Sequence, residues 1–373
     1  MSLSFRISAR DGPARAGILD TPHGRVETPL FMVVGTAASV KGLTGGELRR
    51  AGAEMLLANA YHLAVRPGAP ALAERGGLAA FMGWNGPTLT DSGGYQVFSL
   101  AGRRRLTPDG VLFNNHVDGG ELFLTPEKAV EIQTLIGADV MMCLDVCPPA
   151  RAGRGEAEAA LRLTHAWAGR ARRSWREAGG QALFGIVQGG LHEDLRRESA
   201  AFLAGLDFPG YAVGGVAVGE GTGEIRRIVS LTAPLLPEDR PRYLMGVGTP
   251  GDIIHGVAAG VDMFDCVMPT RHARHFQAFT REGRLNLKNA AFAADDRPLE
   301  AGCDCETCRT ASRAYLRHLA ALGELTAMIL LSIHNVRFYL RLMERLRSAI
   351  PRGRLAEVAR EYAGSDRLGG RLP

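Results

Sequence analysis

A short echo recurs three times in this chain and constrains its fold more than any other feature. Gly52-Ala53-Glu54-Met55, Gly137-Ala138-Asp139-Val140 and Gly260-Val261-Asp262-Met263 each stand where an amphipathic helix gives way to an apolar strand. Around them runs a unit of short strand, polar or glycine-bearing loop, amphipathic helix and next strand. Eight strand candidates follow: 31–34, 55–59, 88–91, 139–145, 183–188, 211–216, 243–247 and 263–267. Thr125 before Pro126 caps a helix that Gly137 ends, and Thr249 before Pro250 starts another that Gly260 ends. Alternation of this kind predicts an α/β protein, a (β/α)₈ barrel of the TIM type, with an open doubly wound sheet as the alternative.

In a barrel the C-terminal ends of the strands converge on one face, where the chemistry belongs. Asp91, Asp145, Gln188 and Gly215 fall at or near such ends, and Met245 and Asp265 fall late in theirs. Asp265 interrupts the apolar run 263–267, and a buried acid needs a reason. The basic residues Arg271, His272, Arg274 and His275 follow within ten positions, placed to surround a polyanion where the strand ends. The plainer alternative is a core strand with one satisfied carboxylate and a solvated basic loop.

The barrel is expected to carry an inserted N-terminal hairpin region. Between the third strand and the Thr125 helix, alternation over 111–123 predicts a hairpin turning near Asp118-Gly119-Gly120. The nearby Arg103-Arg104-Arg105 run reads as a loop that either touches phosphate or is simply solvated. The segment 155–179 reads as a single arginine-rich barrel helix, with Trp167 and Trp175 available for packing.

The chain has 373 residues, 46% hydrophobic and 22% charged, enough to bury a large core in one domain spanning 1–373. Its N-terminus lacks the apolar core of a signal peptide and no run approaches a membrane span, so a cytoplasmic protein is expected. A formal charge of +5 is compatible with a nucleic-acid partner but decides nothing alone.

Six cysteines are present, and three crowd into CDCETC as Cys303, Cys305 and Cys308. With His334 downstream they make a complete Cys₃His set, expected to hold one structural Zn²⁺ in a subdomain over 296–350. Arginines 337, 341, 345 and 347 on the same helix read as a solvated face, a dimer surface or an RNA contact.

With these residues in view, the chain resembles the bacterial tRNA-guanine transglycosylases from about Arg10 to about Pro351. The motifs that carry the likeness are FMVVGTAASVKGLT, NAYHLAVRPG, TDSGGYQVFSL, GIVQGG, GYAVGGVAVGE, YLMGVGTP, FDCVMPTR, and CDCETC followed by IHN. The resemblance implies a TIM barrel with a zinc-binding subdomain. It implies a pentosyltransferase of queuosine biosynthesis that exchanges guanine 34 of G-U-N tRNAs for 7-aminomethyl-7-deazaguanine. It also implies a homodimer, and an RNA partner read through a U-G-U core in the anticodon loop.

Residue by residue, Asp265 matches the family nucleophile that holds the ribose as a covalent ester. Asp91 matches the general acid/base, in the two-carboxylate logic of retaining glycosyl transfer. Asp145, Gln188 and the Gly215 backbone match contacts to the purine edge, and Tyr95 and Met245 match the residues that sandwich its ring. Glu220 matches the acid that governs recognition of the aminomethyl group, and Arg271, Arg274 and Arg281 suit RNA contacts. Cys147 and Val218 match pocket residues of the bacterial type. Three departures stand out: Val146 where an acid is usual, Val216 where leucine is usual, and His275-Phe276 where the family usually has Asn-Gly. Retention of both aspartates speaks against a silent tRNA-binding subunit, and the cysteine set and basic loop against a barrel glycoside hydrolase.

Overall fold

The computed structural model describes residues 3–94, 104–115, 117 and 119–367. Eight parallel strands close into a barrel: β4 (Leu30–Val34), β5 (Leu56–Asn59), β6 (Thr88–Asp91), β10 (Val140–Met142), β11 (Ala182–Val187), β12 (Gly210–Val213), β13 (Arg242–Leu244) and β14 (Met263–Cys266). Neighbours pair in chain order, and β14 closes the ring on β4 with Asp265 opposite Met32. All eight candidates are therefore barrel strands, and the open sheet is excluded. The fourth is shorter than expected, because Leu144 and Asp145 have already left the ladder.

The echo has a physical explanation at the floor of the barrel. Its glycines, Gly52, Gly137 and Gly260, end their helices at φ of 92°, 80° and 93°, which only glycine adopts freely. Its acids take up backbone N–H groups of neighbouring strands, two of them at the strand's first residue. Asp139 accepts from Thr88 N (2.8 Å), and Asp262 accepts from Arg242 N (2.7 Å). Glu54 accepts from Glu27 N (3.1 Å). One glycine turns the chain and one carboxylate caps the edge.

That floor is sealed by an antiparallel sheet of β1 (Ser4–Asp11), β2 (Ala14–Thr21) and β3 (Gly24–Thr28), which precedes the barrel and is separate from the hairpin expected over 111–123. The signal was there in the alternation of Phe5, Ile7 and Ala9 and the Asp11-Gly12-Pro13 turn. Arg15 on β2 is fully buried and donates to both carboxylate oxygens of Asp262, with Nε at 2.9 Å, and to the carbonyls of Glu238 and Arg240 (2.7 Å each).

The insertion is a three-stranded sheet of β7 (Arg104–Thr107), β8 (Gly110–Asn114) and β9 (Glu121–Leu124). The expected hairpin is β8–β9, although Asp118 of its turn lies outside the described residues. Arg104 and Arg105, expected in a loop, belong instead to β7, which turns into β8 through Thr107-Pro108-Asp109-Gly110. Arg103 lies outside the described residues. The arginine-rich helix runs Arg154–Ser174 and stops short of 179. Trp175 leaves helical geometry at ψ 137°, and its indole N–H donates to Gln181 O (3.1 Å), steering the chain into β11.

After the barrel come the helix Met268–Arg274, the hairpin β15 (Gln277–Thr280) and β16 (Gly283–Asn286), and the long helix Leu325–Ala349. The arginines of that helix are tied into ion pairs. Arg337 bridges Asp304 and Glu344, Arg341 lies 3.6 Å from Glu300, Arg345 pairs with Glu361, and Arg347 with Glu54. No described helix is long and apolar enough to cross a membrane.

Arg15→Met would strand the Asp262 carboxylate in the floor, so it is expected to destabilise by about 3–5 kcal/mol in a denaturant titration. Arg10→Met, whose partner Glu238 stands in solvent, is expected to change little. Equal midpoints for the two variants would contradict this account of the floor.

Candidate active site

The C-terminal rim brings together the polar residues that the sequence scatters over some 175 positions. Asp265, half-buried on β14, accepts through one oxygen, Oδ1, from Tyr243 Oη (2.6 Å) and Gly246 N (2.8 Å). Among the described residues no hydrogen bond engages its Oδ2. Burial pushes the Asp265 carboxyl above its ordinary range against the pull of those two donors. Burial beside Asp265 also raises the Tyr243 hydroxyl, which therefore stays protonated and donating.

Asp91 ends β6 beside the next turn of chain. Its Oδ1 accepts from Ala60 N (3.0 Å) and Gly93 N (3.2 Å), and its Oδ2 from Asn59 Nδ2. Its charge bears on both Asp145 and Tyr243, raising each. Asn59 and Tyr243 were not singled out in the sequence. Asn59 stands directly opposite Asp91 on the neighbouring strand, and Tyr243 opposite Met263, two residues before Asp265.

Asp145 is 8% exposed, and burial, reinforced by Asp91, lifts its carboxyl to about 6 even though Gln188 Nε2 donates to it (2.7 Å). Among the described residues, Gln188 Oε1 is buried without a hydrogen-bond partner. Gly215, at φ 62°, packs against it so closely that a Cβ there would fall 2.2 Å from Oε1. Met245 lies half-buried at the end of β13. Tyr95 lies outside the described residues.

Glu220 accepts from Val218 N (2.9 Å) and from Ala217 N, bracing a turn in which Ala217 takes φ 59°. Arg271 is exposed and Arg274 half-buried, its Nη1 without a hydrogen-bond partner among the described residues. Arg281 is held by Glu300 (3.1 Å) and Glu361 (3.2 Å), so its charge is already neutralised within the chain.

Cys303, Cys305, Cys308 and His334 offer ligand atoms that all lie within 4.8 Å of one another. The three sulfurs stand 3.8, 3.5 and 3.3 Å from His334 Nδ1. Those separations fit the edges of a tetrahedron with metal–ligand bonds of roughly 2.0–2.3 Å. His334 Nε2 lies 2.7 Å from the Phe279 carbonyl, which can only accept, so Nδ1 keeps its lone pair for a metal ion. The cluster is thus able to hold a metal ion with four protein ligands. The neighbouring Asn335 clamps the segment after Asp265, donating to Pro269 O (3.0 Å) and Gln277 O (2.9 Å) and accepting from Phe279 N (2.9 Å).

A closed parallel barrel with carboxylates gathered on its C-terminal rim defines an enzyme of the TIM-barrel class, and the Cys₃His cluster narrows it further. The sequence model of one family, described as queuine tRNA-ribosyltransferase, matches residues 10–367. A protein of that name from Thermoanaerobacter pseudethanolicus is 50% identical over 363 residues, covering 97% of each chain. Another, from Thermus thermophilus, is 53% identical over 359 residues, covering 96% of this chain and 93% of its own. One from Geobacillus thermodenitrificans is 52% identical over 355 residues, 95% and 93% of the two chains. The chain belongs to the queuine tRNA-ribosyltransferase family.

One departure from the family pattern gains a physical meaning. Phe276, where the resemblance leads us to expect glycine, takes φ 59°, a left-handed conformation that glycine adopts freely, yet its ring is buried with Ala273, Leu285 and Leu287. Packing therefore holds a strained backbone. Phe276→Ala is expected to lose about 3–5 kcal/mol of burial while keeping the strain. Phe276→Gly loses the same burial but relieves the strain, so thermal melting should rank glycine no lower than alanine. The reverse order would remove the strain from the account.

Proposed function

We propose that this chain exchanges guanine 34 in the anticodon of G-U-N tRNAs for 7-aminomethyl-7-deazaguanine by double displacement. The observation that carries the reading is Asp265, with one oxygen fixed by two donors and the other uncommitted. Such a carboxylate is oriented, dry enough to be reactive, and still able to attack. In the first half-reaction Asp265 Oδ2 bonds to C1′ of the ribose as the C1′–N9 bond breaks. The departing guanine takes its proton from Asp91. In the second half-reaction Asp91 removes a proton from the incoming base, whose nitrogen attacks C1′ and expels Asp265 as carboxylate. Two inversions restore the sugar configuration.

Asp145 and Gln188 serve as the readers of the purine edge. The ionised Asp145 accepts from ring and amino N–H groups, and Gln188 Oε1 finds in the base the donor it lacks in the protein. Met245 and Tyr95 cover the ring faces, and Gly215 supplies a backbone contact. Glu220 stabilises the peptide orientation beside the 7-substituent and favours a primary ammonium, which supports the aminomethyl base over the bulkier queuine. Arg271 and Arg274 carry the anticodon-loop phosphates, whereas the ion pairs of Arg281 suit it to bracing the zinc-binding segment 296–350. The Cys₃His set holds Zn²⁺, which fixes that segment and supplies no chemistry.

Denaturing gels with tRNA test the covalent step. The unaltered protein is expected to give a denaturant-resistant adduct, and Asp265→Asn and Asp265→Ala none, with tRNA affinity retained through the phosphate contacts. An adduct surviving in either Asp265 variant but lost in Asp91→Ala would reverse the two roles. Metal analysis tests the second site: about one zinc per chain is expected. Cys305→Ser should lose both the metal and thermal stability, and a stable zinc-free protein would remove the assignment.

A further inference from the structure

Arg196 presents an unusual balance. Its side chain is fully buried, and among the described residues no carboxylate pairs with it. Burial depresses the guanidinium to about 10, yet the charge is kept. Guanidinium groups in such surroundings normally sit opposite an acid. Here the compensation is four backbone carbonyls: Gly190 (2.9 Å, from Nε), Val187 (3.1 Å) and Gly214 (2.7 Å, both from Nη1), and Gly215 (3.0 Å, from Nη2).

These carbonyls belong to two stretches of chain. Val187 and Gly190 flank Gln188 at the end of β11, and Gly214 and Gly215 follow β12. The barrel ladder ends between them, where Gly214 N donates to Val187 O (3.0 Å), and beyond that point no strand pairing holds either stretch. The planar fork of one arginine takes over from the ladder. It also sets a direction. Carbonyl and N–H point opposite ways across a trans peptide, so fixing the Gly214 carbonyl turns the Gly215 N–H away from Arg196.

Three residues on, Ser199 shares the same helical face of Glu193–Gly205. Its Oγ accepts from Gln188 N (3.2 Å), and it lies 3.2 Å from Nε2 of the buried His165. One turn of helix therefore grips Gln188 from both sides and Gly215 from behind.

We propose that Arg196, assisted by Ser199, is the positioning residue that locks Gln188 and Gly215 into a single base-reading edge. This rests on the reading of Gln188 and Gly215 as base contacts. Neither Arg196 nor Ser199 touches the base; they act by holding the groups that do. Lysine keeps the charge but offers a point donor in place of a fork, and cannot span four carbonyls in two loops.

Steady-state exchange with Arg196→Lys, Ser199→Ala and Gln188→Ala separates the possibilities. Arg196→Lys, folded by circular dichroism, is expected to raise KM for guanine about tenfold or more, since small misplacements at a site are costly. KM for tRNA should stay within about twofold, because phosphate contacts elsewhere supply that affinity. General loosening of the fold would move both constants together. Gln188→Ala should raise the guanine KM alone. If it does while folded Arg196→Lys leaves that KM unchanged, the positioning role is overturned and the base-reading site stands. If Gln188→Ala leaves it unchanged, the base-reading assignment itself fails. Should Arg196→Lys not fold, Ser199→Ala carries the test: a raised guanine KM with tRNA KM intact supports the role, and an unchanged one overturns it.

Discussion

Closure of the parallel barrel is the constraint on which the rest of this structure depends. Pairing of β14 with β4 joins the last strand to the first, so Asp265 enters a ring that already contains Asp91 on β6. Parallel strands all end on the same face, and the C-terminal rim therefore collects side chains from every part of the chain. Without closure, Asp265 would lie on an edge strand, with β10, β11, β12 and β13 between it and Asp91 on β6. The floor is built for permanence by comparison, with Asp139 and Asp262 capping strand ends and Arg15 neutralising the latter.

The two ends of the barrel treat buried charge differently. At the floor, Asp262 meets a guanidinium that uses both its oxygens. At the rim, among the described residues, no hydrogen bond engages Asp265 Oδ2 or Gln188 Oε1, and burial together with Asp91 lifts the Asp145 carboxyl to about 6. Ala217 adds left-handed backbone just beyond β12. Such local violations weaken a fold and are tolerated where a ligand completes them. The ion-paired carboxylate of the floor and the four-residue Cys₃His cluster stand apart from that rim.

The barrel was legible because its signals are local. Helix caps at Thr125 and Thr249, left-handed glycines after helices and short apolar runs report themselves within a few residues. Asp91, Asp145, Gln188 and Asp265 were legible because polar residues at the ends of apolar strands are conspicuous, and the three clustered cysteines with His334 because their spacing is distinctive. Their roles came from the family resemblance. What stayed hidden depends on contacts distant in sequence. Nothing near Arg196 shows that its fork will meet carbonyls of two loops, and the arginines of the helix Leu325–Ala349 looked available until their carboxylate partners were in place. The early stop of the Arg154–Ser174 helix likewise depends on where the Trp175 indole finds an acceptor.

The central claim is that the rim of this barrel exchanges a base at one position of one class of RNA. Incorporation of labelled guanine into tRNA measures that most directly, using a substrate with a G-U-N anticodon beside one whose wobble guanine is replaced by adenine. The account expects label to enter only the first tRNA, only at the wobble position, and to be chased out by 7-aminomethyl-7-deazaguanine. Folded, metal-loaded protein that incorporates no label, or that incorporates it equally into both tRNAs, would contradict it.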